Sequence, residues 1–106
     1  MDPTKRFALS VLFQAQQDDA SELVMRPATS ERSPIRYKVA GTWHDLAPPP
    51  AQVVAGAVAE VGRLAGCSET AFPKVGVIDV AYSGTRLRWQ MRMQSADEEC
   101  ILTRMQ

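Results

Sequence analysis

A single histidine, His44, and two cysteines, Cys67 and Cys100, are all that this chain offers to soft-metal or thiol chemistry. The cysteines stand far apart, with no second Cys or His at ligand spacing. One bridge between them would make a poor scaffold, so both read as reduced. The six glycines are scattered. They form neither a dinucleotide fingerprint nor a G-x-x-x-x-G-K-[ST] loop, which excludes a self-contained nucleotide-hydrolysing site. Net charge is missing as well: twelve basic residues offset twelve acidic ones, so no overall field draws the protein onto nucleic acid or anionic lipid. The apolar stretch after Lys5-Arg6 is broken by Ser10 and Gln14, which argues against a signal peptide and a membrane span. A cytoplasmic location follows by default.

What is present fits one domain. The chain has 106 residues, of which 45% are apolar and 23% charged, the balance of an ordinary globular protein with a single core. Asp2 suits an N-cap and Pro3 the first helical position, and Phe7, Val11, Leu12 and Ala15 recur at helical spacing up to about Gln17. Glu22–Met25 reads as a short strand stopped by Pro27, and 28–34 as a polar loop. Ile35–Val39 alternates apolar with basic. The Ala40-Gly41 turn then returns the chain through Thr42–Leu46 as a hairpin, and Pro48-Pro49-Pro50 closes this half. A second helix is predicted over Ala51–Gly66 from the period of Val54, Ala57, Val58, Val61, Leu64 and Ala65. Three further strands are predicted over Val75–Tyr82, Arg86–Gln94 and Glu99–Met105. No βαβ unit repeats, so the fold class is α+β: a mostly antiparallel sheet of about five or six strands with two helices packed on one face. Written with five strands, the order is α-β-β-α-β-β-β.

The residues give little support to catalysis. His44 has Asp45 beside it, but neighbours on a strand point to opposite faces, which leaves the histidine without an orienting partner. The same geometry separates Glu98 from Glu99 on a strand, and neither that pair nor Asp18-Asp19 suits shared-proton chemistry. Cys67 follows a glycine at a helix end, with nothing cationic placed beside it by sequence. The suggestive cluster is basic: Arg36 and Lys38 on one strand, Arg86, Arg88 and Arg92 on one face of another, and Arg104 on the last. Such a face can be solvation alone, with its arginines paired to Glu98, Glu99 or Asp79. It can also offer guanidinium forks to phosphate or carboxylate groups of a partner. Trp43, Trp89, Tyr37, Tyr82 and Phe72 suit core packing better than a stacking surface, because a sheet buries its largest side chains at period-two positions.

Two segments carry a resemblance. Ala20-Ser21-Glu22-Leu23-Val24-Met25-Arg26-Pro27 followed by Ile35-Arg36-Tyr37-Lys38-Val39-Ala40-Gly41 resembles the A-S-D-I-H-I-E-P and R-x-R-Y-R-[IV]-D-G motifs of type II secretion and type IV pilus assembly ATPases. Pro73-Lys74-Val75-Gly76 stands where that family has P-Q-D-G, and Glu98–Arg104 resembles its closing G-E-x-V-V-x-R strand. The resemblance implies that residues 1–106 form one domain like the family's PAS-like N-terminal (N2) domain, without the RecA-like motor core, which would begin about where the sequence stops at Gln106. It implies a bacterial, non-catalytic and regulatory protein-binding role with no cofactor, and a protein partner such as a secretion or pilus ATPase. Arg36, Arg88 and Arg104 would inherit an approach to the motor's nucleotide. Partner or phosphate contact is thus expected at Arg36, Lys38, Arg88, Arg92 and Arg104, and no metal site is expected. The sequence departs from the motifs at Val24, Arg26, Ala40 and Lys74-Val75. Such losses fit a stand-alone relative with another partner, or a fragment of a longer protein, although Met1-Asp2-Pro3 reads as a natural start.

Two other readings compete with the interaction module. A PAS-like sensor of a small ligand or nucleotide would use the same fold with its basic and aromatic side chains. An enzyme of unfamiliar type would rest on His44 and Cys67 alone. Exposed edge strands of a small antiparallel sheet also leave homo-oligomers open.

Overall fold

The computed structural model describes residues 3–26, 35–46, 51–67, 71–95 and 98–105. The proposed cap at Asp2, the loop 28–34 and the triple proline 48–50 lie outside the described residues. Helix α1 spans Pro3–Gln17 and buries Ala8, Leu9, Val11, Leu12 and Ala15; of the expected stripe Val11, Leu12 and Ala15 are buried, while Phe7 is part-buried against the same core and Ala8 and Leu9 widen the face. It ends because Asp19 adopts a left-handed φ of 62°. The N–H of Ala20 then bonds the carbonyl of Ala15, and that of Asp19 the carbonyl of Gln16, which satisfies two orphan carbonyls of the last turn. Helix α2, Ala51–Leu64, closes in the same way on Gly66 at φ 76°, with bonds from Cys67 to Gly62 and from Gly66 to Arg63. Cys67 therefore follows a glycine because that position needs a residue without a Cβ penalty.

Six strands follow one another as β1 (Glu22–Met25), β2 (Ile35–Val39), β3 (Thr42–Asp45), β4 (Lys74–Tyr82), β5 (Thr85–Met93) and β6 (Cys100–Arg104). The observed order is α-β-β-β-α-β-β-β, one strand more before α2 than the expected order holds. Glu22–Met25 and both arms of the 35–46 hairpin each form a strand of their own, since β1 gains partners on two sides. All six strands make one sheet in the spatial order β3-β2-β1-β6-β5-β4, with every neighbouring pair antiparallel. The first and last strands thus meet at its centre. Both hairpins turn through two residues with positive φ, Ala40-Gly41 (50° and 83°) and Ser83-Gly84 (51° and 78°). That is the type I′ geometry, whose twist matches the strands it joins.

One face of the sheet is the core. Leu23, Met25, Ile35, Ile78, Leu87, Trp89, Met91, Met93, Cys100 and Leu102 are buried there against α1 and, from α2, Val54, Ala57 and Val61. Both helices lie on this side, so the opposite face carries the remaining strand residues outward. No helix among the described residues is long and apolar enough to cross a membrane.

Candidate functional site

Strand parity decides which side chains reach the open face. On β5, Leu87, Trp89, Met91 and Met93 are buried, which turns Arg86, Arg88, Gln90 and Arg92 outward. Through the register, Arg92 stands beside Ile101 of β6 and Val75 of β4, and Arg88 beside Asp79 of β4. On β2, Arg36 and Lys38 face outward beside Val24 and Glu22 of β1 and beside Asp45 and Trp43 of β3.

The expected stripe is therefore two clusters. Strands β1 and β6 separate them, which amounts to about 14 Å at the usual strand spacing. Arg104 joins neither. Cys100 and Leu102 set the inward parity of β6, so Arg104 falls on the helix side at the strand's end, where it pairs with Asp19 beyond α1. The three apolar residues Cys100-Ile101-Leu102 hide that parity in the sequence.

Most of the positive charge is answered locally. Arg36 Nε donates to Asp45 Oδ1 at 2.7 Å, Lys38 lies 3.8 Å from Glu22, and Asp79 receives Arg86 at 2.6 Å and Arg88 at 3.8 Å. Arg92 has no ion-pair partner among the described residues. Arg86 and Arg88 thus have the local pairing with Asp79 that the solvation reading expects, and such exposed pairs contribute little to stability.

The β2–β3 end has something the β5 cluster lacks. Trp43 is 37% exposed, with the Arg36 guanidinium 5.4 Å and the Lys38 ammonium 5.8 Å from its ring centroid. Beside it lies a hollow of about 160 Å³ lined by Val24, Arg26, Arg36, Trp43 and Glu99. Val24 is its apolar floor, and Arg26 crosses from the end of β1 to Glu99 before β6 at 2.8 Å. The Arg26 Nε is buried with no hydrogen-bond partner among the described residues. Arg26 and Glu99 carry no signal in the sequence as a site, because only the β1–β6 pairing brings them together.

Of the aromatic residues, Trp89 is wholly inside the core while Trp43 and Phe72 are partly exposed. Tyr37 is half-buried: loss of water, then its hydrogen bond to Asp18 and that residue's charge, push its phenol above the ordinary tyrosine range. His44 lies on the helix-side parity of β3 against the Tyr37 ring at 5.7 Å, with Asp45 on the other face, as the alternation predicts. Cys100 is buried in the core and its thiol is pushed up to about 12, chiefly by desolvation, while Cys67 is part-buried. Among the described residues no cluster of His, Cys, Asp or Glu could hold a metal ion. A scan against protein-family models finds no match for the chain, and a search of curated proteins finds none.

Proposed function

We propose that this chain is a non-catalytic interaction domain that captures a protein partner on its open sheet face at the β2–β3 end. Trp43 is the anchor, and Arg26, Arg36 and Lys38 are the surrounding donors. The observation that carries the reading is the exposed Trp43 ring, flanked by two cations beside a hollow lined by Arg26, Arg36 and Glu99. Tryptophan and arginine are the residues on which binding energy concentrates in protein interfaces. The motifs around β1, β2 and β6 add that the fold is PAS-like and related to the N-terminal domain of secretion ATPases. The partner proposed is accordingly the motor subunit of a bacterial type II secretion or type IV pilus system, met in the cytoplasm.

A small-ligand or nucleotide sensor draws less support from this hollow. Pockets that enclose such ligands run to roughly 300–1,000 Å³, well above the hollow beside Trp43.

Binding of the full chain to a purified motor subunit of such a system, followed by calorimetry, tests the proposal. Trp43→Ala and Arg36→Glu are each expected to weaken binding at least about tenfold, equal to about 1.4 kcal/mol, while Arg92→Glu leaves it within about twofold. Equal affinity in the Trp43 and Arg36 variants, or no binding by the unmodified chain, refutes it.

A further inference from the structure

Strand β4 forms an edge of the sheet, and its nine residues pair with β5 on one side only. The direction of its free backbone groups can be worked out. The Ser83-Gly84 turn makes Tyr82 and Thr85 the first pair that exchanges both backbone bonds, so Tyr82, Val80, Ile78, Gly76 and Lys74 bond inward to β5. Strand β5 agrees. Its Arg86 carbonyl accepts from Gln16 Nε2 and its Arg88 carbonyl from the Met105 N–H, so the even-numbered residues of β5 point away from β4. Val75, Val77, Asp79 and Ala81 therefore present their N–H and C=O groups to the open edge. Their side chains lie on the open face, where Val75 is 59% and Val77 46% exposed.

Proteins usually blunt such an edge with outward charge, proline, a bulge or short length. From Val75 to Ile78 this strand carries no charge at all. We infer that the protein forms a two-fold dimer by antiparallel pairing of β4 with the β4 of a second copy, centred on Val77. In this register Val77 opposes the partner's Val77, Val75 opposes the partner's Asp79, and Gly76 opposes the partner's Ile78. Side-chain parity is kept, so the open faces and the helix-covered faces of the two sheets run on continuously.

Charge favours a second copy as the occupant. Arg92, beside Val75 on β5, has no ion-pair partner among the described residues. The pairing puts the partner's Asp79, which also holds Arg86 and Arg88 of its own chain, two strands from it, about 10 Å between backbones and within reach of an extended arginine. No like charges oppose each other along the paired strands. The inference stands apart from the partner site at Trp43, which lies at the opposite edge.

Sedimentation velocity of the full chain over a concentration series up to millimolar is the first measurement, and it should show a monomer–dimer equilibrium. Val77→Lys should weaken the dimer at least about tenfold by placing two ammonium groups together at the two-fold axis, with circular dichroism unchanged. Thr42→Lys on the other edge should leave it intact. Val77→Cys combined with Cys67→Ser should cross-link across the axis on oxidation. In the dimer the amides of Val75, Val77 and Asp79 should become protected from hydrogen exchange, while in Val77→Lys they stay open. A chain that remains monomeric throughout, a dimer indifferent to Val77→Lys, or a Val77→Cys variant that stays uncross-linked overturns the inference.

Discussion

The two edges of the sheet are built on different principles. Strand β4 is nine residues long, its inner side is covered by α2, and Ile78 is fully buried. Strand β3 is four residues long, all exposed, and it is held by its hairpin to β2, the Arg36–Asp45 ion pair and the cations around Trp43. One edge owes its shape to packing and so can present unpaired apolar backbone without loss of register. The other owes its shape to surface contacts worth little each, so its side chains can re-form around a partner at small cost. Rigidity and adaptability sit at opposite edges of one sheet, five strand spacings apart, and each favours a different kind of association.

The severest way to break this contrast is at Gly76. A Cβ there would lie 2.3 Å from the Ala65 carbonyl oxygen, a backbone atom at the end of α2 that cannot move aside cheaply. Gly76→Ala is expected to cost about 3 kcal/mol, measured by urea denaturation, as α2 is forced off β4. A loss below about 0.5 kcal/mol, no more than a surface substitution, would mean that α2 does not fix this edge. A second test uses pH in the packed interior behind β4. The row Lys74–Met93–Cys100 runs inward from that strand. Burial holds the Cys100 thiol at about 12 against 9.0, so the unfolded chain loses that proton first as pH rises. The contribution is complete below pH 9 and fades on the way to about 12, at up to roughly 1.4 kcal/mol per pH unit. Cys100→Ala should be less stable at neutral pH, yet its stability should fall more gently above pH 9 than that of the unmodified chain. Parallel declines would remove Cys100 as the cause.

Much of this contrast could be read from residue order, and the rest could not, for identifiable reasons. The stripes of α1 and α2 and the alternation of β5 follow from period alone, and the structure keeps their faces as predicted. The inward parity of Arg104 was hidden by an all-apolar neighbourhood. The sequence offers Asp79, Glu98 and Glu99 alike as partners of Arg86 and Arg88, and only the β4–β5 register selects Asp79. The hollow at Arg26 and Glu99 depends on β1 lying beside β6, a central pairing of the first and last strands that no local pattern announces. Trp43 was assigned to packing because strands bury aromatics. It is exposed because its register with Lys38 places it on the open face, opposite the helices.

The mildest test addresses the weak edge itself. Ala40 holds a φ of 50° at the first turn position between β2 and β3, a conformation that costs a residue with a Cβ roughly 1–2 kcal/mol unless its side chain can bond locally. The matching position between β4 and β5 is Ser83, at φ 51° and with a hydroxyl available. The looser hairpin therefore carries the less suitable residue, and Ala40→Asn should relieve it. We expect a gain of about 0.5–1 kcal/mol in urea denaturation, together with slower hydrogen exchange in β2 and β3 and none of either in β4. Tightening β3 should also reduce the adaptability of the Trp43 surface, so binding to the proposed motor-subunit partner should change in the same variant. If stability rises and exchange slows equally at both edges, the two are one cooperative unit and the division between a rigid and an adaptable edge fails.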